Sequence, residues 1–153
     1  MTKRLSSIAR RAPDVMLTAT LTVETAGAGF VDITREAAAF LNEGRAGDGL
    51  LTVFLRHTSA SLAIQENADP DVQADLMTAL RRLAPENAGW VHDTEGPDDM
   101  PAHVKAMLTD VSLGVPVRGG DMVLGAWQGL YLVEHRAAPH RREVVLQFIG
   151  AAG

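Results

Sequence analysis

The chain has 153 residues, 46% hydrophobic and 22% charged, with a formal net charge of −5 and no cysteine. That length suits one domain with its own core and no need of disulfide or metal staples. The acidic balance argues against general nucleic-acid binding, which needs a basic surface, and the lack of thiols excludes disulfides, thiolate metal sites and cysteine catalysis.

Residues 1–14 carry Lys3, Arg4, Arg10 and Arg11 but no apolar stretch of signal-peptide length, and read as a flexible segment before a single domain over 15–150. No run of about 18 apolar residues exists for a membrane span, so no membrane partner and a cytoplasmic setting are expected. Val15, Leu17, Ala19, Leu21 and Val23 alternate with Met16, Thr18, Thr20, Thr22 and Glu24, the period-two pattern of a half-buried strand. Thr34 fits the N-cap of a short helix through Phe40 and Leu41, and Gly44 fits its stop. Leu50–Leu55 and Ser59–Gln65 read as strands. Asp69-Pro70 opens a helix with Val72, Leu76, Leu80 and Leu83 on one face. Pro85 and Gly89 end that segment, and Asp99-Met100-Pro101 starts a second helix with Val104, Met107 and Leu108 as its apolar stripe. After Val115-Pro116-Val117 the turn signal Arg118-Gly119-Gly120-Asp121 leads into strands at Met122–Leu124, Ala126–Glu134 and Glu143–Ile149. Strands dominate, with two or three helices grouped in the middle, so the predicted class is α+β with a compact β-rich core.

Among the histidines, His57 follows a strand and shares one side of the extended chain with Ser59 and Ser61. His92 lies in a loop rich in Gly, Pro and Asp, and His103 in the first turn of a helix, where free N–H groups favour an anion. Three imidazoles would suit a catalytic divalent ion, though they lie 35 and 11 residues apart with no local motif, and ordinary polar histidines are the alternative. Glu95, Asp98 and Asp99 read either as a solvated loop with a helix cap or as catalytic carboxylates. Glu66 and Asn67 have no such structural task in the sequence. Gly125 and Gly129 suggest bulges or close approach in a strand, and Trp127 either core or the wall of a pocket. Arg136, His140, Arg141 and Arg142 could hold a phosphate or form a basic hairpin tip.

Taken in order, these segments resemble the YjbQ family, whose members are also labelled secondary thiamine-phosphate synthases. His57-Thr58-Ser59-Ala60-Ser61-Leu62 with Glu66-Asn67 is similar to its HTSA…EN segment, and His92 with Asp98-Asp99-Met100-Pro101-Ala102-His103-Val104-Lys105 to its H…DDxxxHxK segment. Ser112–Val117, Gly120 and Gly125–Leu130 resemble the stretch ending in GTWQ, with Ala126 where the family usually has Thr. Glu134 and Arg141-Arg142 resemble the closing E…RxR element, and the spacer around His140 departs from it. The resemblance implies a homotrimer whose metal ligands are His57, His92 and His103, for a zinc-type ion or magnesium. It further implies catalytic roles for Glu66, Asn67 and Asp99, and substrate or phosphate contacts from Ser59, Lys105, Trp127, Gln128, Glu134 and Arg141. The implied activity is the joining of hydroxymethylpyrimidine diphosphate and thiazole phosphate, so the implied partner is a small phosphorylated metabolite. A chain of this length is too short for the TIM barrel of the main thiamine-phosphate synthases, and three histidines resemble a water-activating zinc centre more than a magnesium site. Two alternatives therefore stand beside the synthase: a metal-dependent hydrolase of a small phosphorylated or acyl metabolite, and a non-catalytic trimer that binds a metabolite.

Overall fold

The computed structural model describes residues 2–153; Met1, part of the expected flexible segment, lies outside the described residues. Residues 2–14 form no helix or strand. From there the chain runs β1 (Val15–Thr25), β2 (Gly29–Asp32), α1 (Thr34–Glu43), β3 (Ala46–Leu55), β4 (Ala60–Glu66), α2 (Pro70–Leu83), α3 (Asp99–Leu108), β5 (Ser112–Arg118), β6 (Asp121–Met122), β7 (Gln128–Glu134) and β8 (His140–Ala152). This is the expected α+β class. None of these helices is long and apolar enough to cross a membrane.

All strand pairings are antiparallel, in a five-stranded sheet ordered β1-β8-β3-β5-β6 and a three-stranded sheet ordered β2-β7-β4. Alternate residues of β3, β5 and β8 face inward, and Leu50 and Phe54 face outward in a segment whose apolar run suggested full burial. Leu51, Val53 and Leu55 of β3, Leu113, Val115 and Val117 of β5, and Val144, Leu146 and Phe148 of β8 are buried. They share one core with Leu62 of β4, Leu130 and Leu132 of β7, and Ala37 and Leu41 of α1.

Asp69 caps α2 through Oδ1, which accepts from the Asp71 N–H at 2.9 Å, and Pro70 follows as its first residue. Thr34 does not cap α1. Its Oγ1 accepts from the Leu130 N–H at 2.9 Å, so the hydroxyl ties the helix to β7, while Asp32 Oδ1 accepts from the Thr34 N–H. The strand expected at Ala126–Glu134 begins only at Gln128. Gly125 to Gln128 form a turn, with the Gln128 N–H on the Gly125 carbonyl at 3.0 Å and Gln128 Oε1 accepting from the Gly125 N–H at 2.8 Å. Trp127 stands on this turn, 67% exposed, outside the core. Gly129 does mark a close approach: a Cβ there would fall 2.9 Å from the Tyr131 ring.

A candidate metal centre

The first turn of α3 builds the site. Asp99 and His103 are four residues apart and therefore share a helix face. The preceding loop returns His92 to the same place, and the His92 and His103 ring centroids are 5.7 Å apart. His92 Nε2 lies 2.8 Å and His103 Nε2 3.2 Å from Asp99 Oδ2. Donor atoms of His92, Asp99 and His103 all fall within 4.8 Å of one another.

Asp99 is buried, and Arg136, from the β7–β8 connection, fixes it by donating through Nη1 to Oδ1. Arg136 also donates from Nε to Asp98 Oδ2 at 3.1 Å and from Nη2 to the Glu95 carbonyl at 2.8 Å. Burial pushes the Asp99 carboxyl up, but its contacts with His92 and Glu95 and the Arg136 charge outweigh this and hold it below the ordinary carboxylate range. Asp98 behaves alike: burial opposes ionisation, and the Ala137 N–H and Arg136 overcome it.

His103 carries the most informative contact. Its Nδ1 donates to the Thr58 carbonyl at 2.9 Å, since a carbonyl can only accept. In the neutral ring Nε2 then holds a lone pair, and that lone pair faces the anionic Asp99 Oδ2. The pair is attractive only when a proton or a metal cation lies between them. A backbone carbonyl on the far nitrogen is the usual support of a metal-binding histidine. Two imidazoles and one carboxylate, with no thiolate, fit a zinc-type ion better than magnesium, which prefers an all-oxygen set.

His57 is outside this trio. Its Nε2 accepts from the Glu143 N–H at 2.9 Å, and its Nδ1 lies 3.5 Å from Arg142 Nη1. Burial first, and Arg142 second, lower its pKa, so it is neutral near pH 7. It does share with His103 a cavity of about 280 Å³, also lined by Thr58, Ala60, Met107 and Val111.

The other expected site residues fall into separate places. Ser59 and Glu134 join a buried network: Arg142 donates to both Glu134 oxygens at 2.6 and 2.8 Å and to Ser59 Oγ at 3.0 Å. Thr25 Oγ1 donates to Glu134 Oε2 at 2.9 Å. Glu66, Asn67, Trp127 and Gln128 gather at the far end of the β4–β7 pair, where Glu66 faces Gln128 in register. At about 3.4 Å per residue, that end lies roughly 20 Å along β4 from the end nearest His92, Asp99 and His103. Asn67 Nδ2 donates to the Ala126 and Gln128 carbonyls at 3.3 Å each, and Glu66 Oε2 is buried without a partner. Arg141 is exposed, 3.8 Å from Glu24. Lys105 is buried away from the trio. His140, for which the sequence offers no role, donates from Nδ1 to the Ala138 carbonyl.

Sequence reasoning did not single out Arg136 as the residue that orients Asp99. No spacing rule could have revealed it, because its partners lie 37 and 38 positions away.

The comparisons agree with the fold. The family model described as UPF0047 protein YjbQ-like matches residues 19–151. A UPF0047 protein of Synechocystis is 46% identical over 131 residues, covering 85% of this chain and 89% of that protein. The UPF0047 protein YjbQ of Escherichia coli O157:H7 is 40% identical, covering 86% and 96%. Crystal structures of a YjbQ/UPF0047 family protein from Clostridium acetobutylicum and of a hypothetical protein from Aeropyrum pernix superpose with TM-scores of 0.79 and 0.81. Their identities are 34% and 29%; the first alignment covers 85% of this chain and 98% of that one, the second 88% and 99%. The chain belongs to the UPF0047 YjbQ-like family.

Proposed function

We propose that this protein is a metal-dependent enzyme acting on a small phosphorylated metabolite in a cytoplasmic setting, with His92, Asp99 and His103 holding a zinc-type divalent ion. The supporting observation is the His103 lone pair turned toward the Asp99 carboxylate by the Thr58 carbonyl, a contact that a cation relieves. Such an ion supplies Lewis acidity and lowers the pKa of water. Around it, Arg136 fixes Asp99, Thr58 sets the His103 tautomer, and His57 lines the adjoining cavity as a neutral polar wall.

The imidazole-rich donor set favours hydrolysis of a phosphorylated or acyl metabolite. Thiamine-phosphate formation is the second reading, favoured by the ordered motif matches at His57–Asn67, His92–Lys105 and Gly125–Gln128. Both are checked by assaying metal-loaded protein on phosphate and carboxylate esters, and on the pyrimidine diphosphate with the thiazole phosphate. Chelator-sensitive ester hydrolysis that falls roughly 100-fold in Asp99→Asn is the expected result. Thiamine phosphate as product selects the second reading. Ligand-induced stabilisation without turnover points to a metabolite-binding protein instead.

The homotrimer belongs to the same proposal. Met16, Ile149 and Leu50 are direct cross-strand neighbours on β1, β8 and β3, and all three are exposed, with Phe54 of β3 also exposed. An apolar row on an open sheet face marks an interaction surface. A closed trimer would cover it and could bring the Glu66–Gln128 end of one copy to the metal cluster of another. Sedimentation equilibrium at micromolar concentration should give three times the 16.3 kDa chain mass, and a monomer would contradict it.

A further inference from the structure

Helix α3 has a second working face. At about 100° per residue, Lys105 points some 200° away from His103, toward α2 and away from the metal cluster. Its side chain is only 8% exposed, yet among the described residues its ammonium forms no hydrogen bond or ion pair. Glu86 and Asp98 attract it and Arg81 repels it, but Asp98 is already engaged by Arg136 and the Ala137 N–H. His135 lines the same cavity and is 2% exposed. Its Nε2 meets Ser61 Oγ at 2.8 Å, while Nδ1 is buried with no partner. The cavity has a volume of about 420 Å³, and its apolar walls include Met77, Ala84 and Pro85.

Buried polar groups are almost always satisfied, so the orphaned His135 Nδ1 calls for a partner. His135 and Lys105 both line one cavity, large enough for a small organic molecule by the usual lower bound of about 300 Å³, and among the described residues the Lys105 ammonium has no ion pair there. When the Ser61 hydroxyl donates to Nε2, the His135 ring proton sits on Nδ1. Lys105 and His135 then present two donors, which match two oxygens of one oxyanion. We propose that this cavity binds a small organic anion, its carboxylate or phosphate oxygens bridging Lys105 and His135 while a short apolar body packs on Met77, Ala84 and Pro85. The site is separate from the metal centre and does not depend on that reading.

Calorimetric titration of inorganic phosphate and of butyrate, at fixed ionic strength and with and without chelator, tests the proposal. At least one anion should bind the wild-type chain with a Kd below about 1 mM. Lys105→Met should weaken that binding at least about tenfold, as expected for loss of a charge-assisted bond, and Arg118→Ala, at an exposed position, should leave it unchanged. The ring ¹⁵N signals of His135 should move during the wild-type titration, and this readout decides the matter should Lys105→Met fail to fold. The arm that binds tells phosphate from carboxylate. The proposal is overturned if neither anion binds below about 10 mM. It is equally overturned if chelator abolishes binding, if Lys105→Met binds like the wild type, or if the His135 signals stay still.

Discussion

Replacing Glu134 with alanine is expected to lower the unfolding free energy by about 3–5 kcal/mol, because it leaves a buried guanidinium without its counter-charge. Glu134 is fully buried and Arg142 is 4% exposed, and two parallel bonds join them. Thr25 Oγ1 and the Arg136 N–H saturate the remaining acceptor capacity. Burial alone would raise the Glu134 carboxyl, but Arg142, the Arg136 N–H and Thr25 together hold it below its ordinary range. The pair itself is a different matter from its disruption. Glu134→Met with Arg142→Met removes both charges, so it should cost clearly less than the two single losses added together. Urea unfolding at fixed protein concentration measures both quantities. A loss below about 1 kcal/mol for Glu134→Ala would contradict the reading of this network as a fully desolvated ion pair.

Acid should weaken the fold well above the pH at which its carboxylates protonate. Burial, and then the charge of Lys105, lower the His135 pKa from 6.5 to about 4. As pH falls below 6.5 the unfolded chain takes up a proton that the folded chain refuses. Stability is therefore full above 6.5 and declines until about pH 4. At about 1.4 kcal/mol per pH unit, that window amounts to a loss on the order of 3 kcal/mol. His57, lowered by burial and by Arg142, adds to the loss with the same sign. Asp98, Asp99 and Glu134 add theirs only as pH falls through the ordinary range of their carboxyls, 3.8 for the aspartates and 4.5 for Glu134. Between pH 6.5 and 5 the decline belongs to imidazole. His135→Gln should flatten it, and unfolding curves that show the same slope in the variant would assign it elsewhere.

What the sequence made legible follows from the range of the forces involved. The alternation of β1 is a local pattern, and Val15, Leu17, Leu21 and Val23 are more buried than Met16, Thr18, Thr20, Thr22 and Glu24 as it predicts, with Ala19 the exception. Asp69-Pro70 punctuates α2 for local reasons as well, through one side-chain bond and one fixed φ. Thr34 looked like the same kind of signal, but its hydroxyl found Leu130, 96 positions away, and the cap was not made. Strand order is equally non-local: β1 pairs with β8, and no period within either segment encodes that. The same division runs through the site. Asp99 and His103 share a face of α3 because they are four residues apart, which sequence spacing shows directly. His92 stands in a loop without periodicity, and its approach to Asp99 became visible only in three dimensions. His57 resembled the other two histidines in the motif, but its ring nitrogen is taken by the Glu143 N–H from β8. Lys105 and His135 face one cavity from elements 30 positions apart, so only folding could bring them together.

The central claim, that His92, Asp99 and His103 form a divalent-metal site, is tested most directly by metal stoichiometry. Untagged protein would be stripped with chelator, dialysed against micromolar zinc and analysed for metal per chain, beside His92→Ala, His103→Ala and Asp99→Asn. Close to one ion per wild-type chain is expected, with affinity reduced at least about 100-fold in each variant, since each loses a ligand. Wild-type protein that retains no metal, or variants that retain as much as the wild type, would contradict it.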